Sequence, residues 1–362
     1  MHTDITKVAV LIPALDPDEK LPQYLDALEE AGFCHMLIID DGSHADRQPI
    51  FDAIEKRATC RVLHHEVNRG KGAALKTGYR DLMEHAPGIQ WVLTADSDGQ
   101  HTAADCLKVC EAAFAGQDAL YLGSRDFSLD FIPPKSRFGN RCTSAVFKLL
   151  YGTWLPDTQT GLRVFSASHL PMMIETAGER YEYEMNVLIA CSRKKLPMIP
   201  VTIETIYENN NEGTHFHPIR DSYRIYKVIL GNFIRFIASS LVCVLIDQAA
   251  AALLAEWLLP LLGMTDRTTI LWVSGFAARL ISACCNFYIN KQLVFSLKQH
   301  TGRAAVKYAL LCILIICLSN AGVSLLTALG AARWIAKLLC DTLLSIVSYR
   351  LQRSWVFQEV ET

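Results

Sequence analysis

An excess of charge of either sign is the first thing missing: 35 Lys and Arg stand against 37 Asp and Glu over 362 residues, a formal net charge of −2. Proteins that hold nucleic acid carry a basic excess to replace counterions along the phosphates, so no nucleic-acid partner is expected. The twelve cysteines include no C-x-x-C pair. Cys106 and Cys110 stand one helical turn apart, but no second pair completes a zinc set, and they read as buried or neutral thiols in a reducing compartment. The opening "MHTDITKVAVLIPAL" has no basic segment leading a long apolar core, so a cleaved signal peptide is not expected. A G-x-x-x-x-G-K-[ST] phosphate loop is also missing.

What is present is unevenly spread. Residues 1 to about 228 alternate apolar runs with charged turns. Residues 232–357 are mostly apolar, with several stretches near the roughly 20 residues that a helix needs to cross a bilayer. In the first half, "KVAVLIPAL" (7–15), "HMLIIDDGS" (35–43), "CRVLHHE" (60–66) and "IQWVLTADSDGQH" (89–101) read as strands separated by helix-length patterns. That alternation implies βαβ units and a largely parallel sheet, with ligands at the carboxyl ends of the strands. Three of these ends are acidic: Asp16, then Asp40 and Asp41, then Asp96 and Asp98.

Each of these residue sets has a chemical use and a plainer alternative. Asp40 and Asp41 suit a ribose or base contact, because carboxylates accept hydrogen bonds from hydroxyl and ring N–H groups; equally, Asp41 fits a turn or helix cap. "NRGKGAAL" (68–75) sets backbone N–H groups, Arg69 and Lys71 at a helix start, which favours an anion. Asp96-Ser97-Asp98 places two carboxylates where both can face one hard cation, Mg²⁺ or Mn²⁺, bridging to a diphosphate; the alternative is two solvated turn aspartates. A calcium-binding EF-hand does not fit, because Gly99 comes too early and Leu107 stands where the twelfth-position Glu belongs.

The ordered blocks "VLIPAL", "IIDDGS", "NRGKGAA", "ADSDGQH", "LGSRDF", "SRFGN" and "DTQTGLRVF" resemble family 2 glycosyltransferases of the GT-A fold. The nearest branch is the dolichol-phosphate mannose synthase and polyprenyl-phosphate glucosyltransferase group, and the resemblance covers residues 6 to about 230. It implies an α/β, Rossmann-like catalytic domain. It also implies that Asp96, Asp98 and Gln100 surround a divalent metal and the sugar-nucleotide diphosphate. Pro13 and Asp41 would line the nucleoside pocket, with Leu15, Asp16, Asp40, Lys71 and Ser97 completing the nucleotide-sugar side. Arg125 and Arg137 would meet the acceptor phosphate, with Asp98, Arg125 and Arg137 as the catalytic set; Arg141 either joins that cluster or is a surface arginine. The family's P-x-Y-N-E opening is here Pro13-Ala14-Leu15-Asp16-Pro17, which favours a uridine-nucleotide donor such as UDP-glucose over GDP-mannose. His215, His217 and Arg220 replace the family's later basic segment. The two histidines either touch phosphate or are exposed loop residues.

No general base is legible. A lipid phosphate is already ionised at neutral pH and attacks without losing a proton, so none is needed. Glu182 and Glu184 in "YEYEMN" are therefore assigned to structure or acceptor positioning. A single displacement inverts the anomeric centre.

The second half is expected to be an all-α membrane domain of four helices, at about 233–255, 269–289, 305–328 and 334–351. Arg220, Arg224, Lys227 and Arg235 precede the first span, Lys291, Lys298, Arg303 and Lys307 separate the second from the third, and Arg350 and Arg353 follow the fourth. By the positive-inside rule both termini are cytoplasmic. Residues 1–220 form the catalytic domain, 221–232 a juxtamembrane amphipathic segment and 233–362 the membrane domain. "NFYINKQLVF" (286–295) matches "SYRLQRSWVF" (348–357) at an offset of 62. The domain thus looks like two helical hairpins in a parallel repeat and resembles the GtrA-like four-helix domain. Asp247, Arg279, Lys337 and Asp341 fall within the spans. They serve either as a polar track for a sugar headgroup or as ion pairs holding the bundle.

The reading is an integral protein of a bacterial or archaeal plasma membrane that transfers a hexose from a nucleotide sugar to undecaprenyl or dolichyl phosphate. The alternative is a lipid-linked-sugar flippase whose soluble half is a loading module, and self-association as a homo-oligomer stays open.

Overall fold

The computed structural model describes residues 4–130, 132–205, 218–295 and 301–357, with backbone alone for 218–222. His215, His217 and Lys298 lie outside the described residues, as does the Arg220 side chain. The chain divides into two compact units, Met1–Ile229 and Leu230–Thr362.

In the first unit, β1 (Val8–Ala14) and β2 (Met36–Asp40) are apolar runs buried on both faces, as central parallel strands are. Between them α1 (Lys20–Glu30) buries Leu21, Tyr24, Leu25 and Leu28, the i, i+3, i+4, i+7 stripe of an amphipathic helix. Each fully buried leucine contributes about 1.5–3 kcal/mol. Next come α2 (Gln48–Ile54), β3 (Cys60–His64), α3 (Lys71–His85), β4 (Trp91–Thr94) and α4 (Ala103–Ala115). Thr102 caps α4 by accepting the Asp105 N–H at 3.0 Å. β5 (Leu120–Ser124), α5 (Pro134–Tyr151), β6 (Arg163–Ser166), α6 (Leu170–Glu175), α7 (Glu182–Lys194) and β7 (Met198–Thr202) complete the sheet.

Among the described residues, seven strands form one sheet in the order β3-β2-β1-β4-β6-β5-β7. β6 runs antiparallel to both neighbours and every other pairing is parallel. The carboxyl ends of six strands therefore share one edge with the start of β6. That edge gathers Asp16, Asp40, Asp41, Asp96, Asp98, Arg125 and Arg163 from distant parts of the chain. All twelve cysteines are free thiols; Cys106 is buried against the Tyr24 hydroxyl at 3.1 Å, and burial pushes its thiol up to about 12.

α8 (Pro218–Leu253) starts in the first unit, continues into the second, and runs unbroken through the segment expected to lie separately at 221–232. The boundary between the units falls after Ile229, inside the expected 221–232 segment, and Tyr151 of α5 donates to the Ile229 carbonyl at 2.9 Å. A second helix (Arg267–Ile289) is capped by Asp266, which accepts the Thr269 N–H at 2.8 Å. The third helix spans Thr301–Ala328 and the fourth Arg333–Leu351. Among the described residues, three helical segments are long and apolar enough to cross a membrane: Tyr223–Leu261, Arg267–Val294 and Thr301–Ala328. The fourth helix matches the fourth expected span in position, but its 19 residues include Arg333, Lys337, Asp341 and Arg350. That charge load lowers its apolarity below that of the other three.

The repeat is visible in geometry. The second and fourth helices each end in a π-helical turn, Asn290–Val294 and Gln352–Val356, at the same offset of 62. Phe287 meets Phe357 at 5.6 Å between ring centroids, and the equivalent pair, Tyr349 with Phe295, meets at 5.8 Å with the same 35° tilt. Such reciprocal contacts are those of an approximate two-fold relation. The intramembrane charges also pair: Arg279 Nε lies 3.7 Å from Asp247, while Lys337 contacts both Asp341 and Ser319 at 3.0 Å.

Candidate active site

At the carboxyl edge of the sheet, β4 delivers Asp96 beside the start of β6. Thr94 Oγ1 donates to the Gly161 carbonyl at 2.8 Å, pinning the two strands together. The Asp96 carboxylate then packs against the Gly161 backbone so closely that a Cβ there would sit 2.4 Å from Oδ2. Only glycine fits. Asp96 Oδ2 also lies 3.5 Å from Nε2 of the buried His101.

The other oxygen of Asp96 faces a lysine. Lys71, the first residue of α3, places Nζ 2.6 Å from Asp96 Oδ1 and 2.9 Å from Glu184 Oε1, at the start of α7. Arg163 holds Glu184 in turn, donating Nη1 to its carbonyl at 3.0 Å. Burial acts to raise the Asp96 carboxyl, but the Lys71 charge and His101 outweigh it and hold the group well below the usual range. Lys71 is held above its ordinary value, because the charges of Asp96 and Glu184 exceed the burial penalty. Asp98 shifts the other way: the protein crowded around it and the neighbouring Asp96 charge raise it. Two carboxylates on one loop are thus shifted in opposite directions. Asp98 Oδ1 accepts the Gln100 N–H at 3.0 Å, which closes the turn through Gly99 and brings Asp96, Ser97, Asp98 and Gln100 into one loop.

Among the described residues no group of three or more His, Cys, Asp or Glu is arranged to hold a metal ion. The donor chemistry nevertheless fits one. Asp96, Asp98 and the Gln100 amide are hard oxygen ligands of the kind Mg²⁺ and Mn²⁺ take, and Lys71 shows that Asp96 accommodates a cation.

The basic side of the edge comes from β5 and α5. Arg125 makes a two-pronged pair with Asp157, Nε to Oδ2 at 2.7 Å and Nη2 to Oδ1 at 3.3 Å, and Asp157 is fully buried. Arg137 donates Nη2 to the Leu129 carbonyl at 2.9 Å, leaving a buried Nε without a hydrogen-bond partner. Arg141 is exposed one turn further along α5.

On the opposite flank, Asp40 and Asp41 are buried and bonded to protein. Asp40 accepts the Ser43 N–H at 2.9 Å and meets His64 Nδ1 at 2.8 Å. Asp41 accepts the Arg69 and Gly70 N–H groups at 3.0 and 2.7 Å and meets His65 Nδ1 at 2.7 Å. Asp40 and His64 are register partners, and successive strand residues point to opposite faces, which explains two Asp–His pairs side by side. Gly42 follows with φ +75°, pressed against Val67 so that a Cβ would fall 2.4 Å from its carbonyl carbon. Asp16 sits at the rim, accepting the His44 N–H at 2.7 Å, and Pro13 and Leu15 flank it half-buried.

Comparison with known proteins settles the family. Residues 9–175 match the model for glycosyl transferase family 2, and residues 235–357 match that for the GtrA/DPMS transmembrane domain. An uncharacterized protein of Methanocaldococcus jannaschii is 30% identical over 229 residues, 62% of this chain and 91% of its own length. The chain belongs to glycosyltransferase family 2. The UDP-N-acetylglucosamine–dolichyl-phosphate N-acetylglucosaminyltransferase of Methanococcus voltae is 29% identical over 217 residues, 55% of this chain and 86% of that one. Among solved structures, glucosyl-3-phosphoglycerate synthase from Mycobacterium tuberculosis in complex with Mn²⁺, uridine diphosphate and phosphoglyceric acid superposes with a TM-score of 0.47. It shares 15% identity and the match covers 62% of this chain and 77% of that one.

The chain is thus a glycosyltransferase joined to a membrane domain of the GtrA/DPMS type. Of the expected site residues, Lys71 and Asp96 come into direct contact, with Ser97, Asp98 and Gln100 on the same loop. Asp157, Arg163 and His65 went unassigned from the sequence, although all three stand inside or beside the quoted motifs. Asp157 and Arg163 belong to "DTQTGLRVF", and an acid and an arginine within that block were the available signal.

Proposed function

We propose that this glycosyltransferase moves a hexose or its N-acetylamino derivative from a uridine nucleotide to a polyprenyl phosphate, such as undecaprenyl or dolichyl phosphate, with inversion. The observation that carries the reading is the split of one strand edge into an acidic loop, Asp96 to Gln100, and a basic flank, Arg125 and Arg137. A donor diphosphate with its cation suits the first, and an anionic acceptor suits the second. The lost P-x-Y-N-E opening and the donor and acceptor named for the Methanococcus relative favour uridine and a lipid phosphate.

In this reading Asp96, Asp98 and Gln100 would hold a Mg²⁺ or Mn²⁺, whose positive charge would offset that of the departing diphosphate. Lys71 adds a point charge beside it. Asp16, Pro13 and Leu15 line the nucleoside side, while Asp40 and Asp41 organise the turns behind it. Arg125, aimed by Asp157, and Arg137 hold the acceptor phosphate with one oxygen toward the anomeric carbon. That oxygen attacks as an anion, the bond to the diphosphate breaks, and no protein base takes a proton. The four helices of the second unit keep the enzyme at its lipid, with the catalytic unit and both termini cytoplasmic.

The test offers purified full-length protein a panel of labelled nucleotide sugars, UDP-glucose, UDP-N-acetylglucosamine and GDP-mannose among them. Each is paired with undecaprenyl or dolichyl phosphate. Label entering the organic phase from a UDP-sugar supports the reading; label from GDP-mannose alone overturns the donor assignment.

A further inference from the structure

We infer that Lys71 is a tethered cation that competes with the divalent ion for Asp96, neutralising the donor site when it is empty and withdrawing to Glu184 as metal enters. The inference rests on the metal-dependent reading above.

Asp96, Asp98 and Glu184 bring three carboxylates to one strand edge, and the Lys71 ammonium touches two of them, at 2.6 and 2.9 Å. The lysine and Glu184 are mostly buried, with 17% and 11% of their side-chain surface exposed. Asp96 is partly enclosed and Glu184 mostly so, and carboxylates withdrawn from water are costly unless paired, so without Lys71 the empty site would hold these two charges uncompensated. A divalent ion ligated by Asp96 would need the lone pairs on Oδ1 that now face Nζ. It also repels a lysine charge at contact distance. One of the two must move.

Packing decides which. Asp96 is fixed: Gly161 lies against its carboxylate, with room for no Cβ, and His101 stands 3.5 Å from Oδ2. Lys71 has a flexible four-carbon stem and a second carboxylate already in contact. Swinging Nζ off Asp96 while keeping Glu184 frees Oδ1 and leaves the ammonium beside the place the diphosphate takes. Glu184 is on this account a positioning residue for Lys71, itself held by Arg163 through its carbonyl at 3.0 Å.

The experiment is Mn²⁺ binding to the full chain in detergent, without nucleotide, followed by the paramagnetic resonance of the free ion. Lys71→Gln removes the competitor, and the expected result is Mn²⁺ bound about tenfold more tightly than by the native chain. Lys71→Arg keeps the charge and grips a carboxylate with two N–H groups; it is expected to bind Mn²⁺ more weakly than the native chain, and it covers the case in which the glutamine variant does not fold. Unchanged or weaker binding by Lys71→Gln, or tighter binding by Lys71→Arg, overturns the competition. If the native chain binds no Mn²⁺ and Asp98→Ala behaves identically, the metal reading itself falls and this inference falls with it.

Discussion

Asn290 donates from Nδ2 to Gln352 Oε1 at 3.0 Å, and the two residues hold the same place in two copies of one repeat. Each is also bonded within its own helix, Asn290 to Asn286 Oδ1 at 2.7 Å and Gln352 to Ser348 Oγ at 3.1 Å. Both are buried, and Ser239 donates to Asn290 Oδ1 at 2.6 Å. An amide carries donors and an acceptor together, so two amides can face each other across an approximate two-fold axis with both groups satisfied. Two lysines or two aspartates could not. The ring pair Phe295–Phe357, stacked at 5.1 Å, closes the same junction one turn further on.

Replacing one amide strands the other. Asn290→Leu and Gln352→Leu should each lower the thermal midpoint of the protein in detergent, at a cost of about 0.6–2 kcal/mol. The double variant should cost clearly less than the sum of the two, because neither amide then strands the other. Strict additivity in that cycle would show that the bond joining the hairpins carries no energy.

At the catalytic edge, Asp98→Ala should reduce transfer by about a thousandfold or more while membrane insertion is unchanged. EDTA should stop the native reaction, and Mg²⁺ or Mn²⁺ should restore it. Turnover near the native rate in Asp98→Ala, measured as labelled lipid per minute, would remove Asp98 from the donor site.

His64 supplies a pH signature separate from catalysis. Burial would lower it, but the hydrogen bonds and charges of Asp40 and Glu55 prevail and raise it above its ordinary 6.5. A histidine raised on folding stabilises the protein fully below its unfolded value, and that contribution disappears as pH rises through the folded one. The native thermal midpoint should therefore fall as pH rises past the ordinary 6.5 of histidine, and His64→Gln should flatten part of that slope. A slope identical in the variant would mean that Asp40 and Glu55 gain nothing from the histidine charge. His44, raised by Asp16, contributes in the same direction and remains in both proteins.

The strands to β4 were legible because each is an apolar, β-branched run closed by a turn signal, and their ends named the acidic edge. The pairing of that edge was less so. Nothing in "NRGKGAA" tells that Lys71 meets a carboxylate 113 positions later at Glu184, since the contact depends on α3 and α7 starting at the same side of the sheet. Asp41 read equally well as a ligand contact or a turn residue, and the structure gives its oxygens two backbone N–H groups and His65. The offset of 62 was visible as letters, whereas the amide contact between its copies needed coordinates. Spans could be placed by hydropathy, but α8 running through 221–232 could not, because the segment's polar and aromatic mixture suits both a helix at the headgroups and the first turns of a longer one.

Asp157 is the residue whose removal best separates positioning from binding. It lies fully buried, and both of its oxygens hold the Arg125 guanidinium, which fixes the direction in which the remaining N–H groups point. Asp157→Asn keeps the volume but loses the charge, so Arg125 stays present and loses its alignment. The expected outcome is a fall in kcat/KM for the polyprenyl phosphate of about tenfold to a hundredfold, with the KM for the nucleotide sugar little changed. Arg125→Lys should show the same split, because an ammonium cannot make the two-pronged contact. If Asp157→Asn instead raises the KM for the nucleotide sugar and leaves the acceptor untouched, Arg125 serves the donor, and the basic flank must be reassigned to the diphosphate.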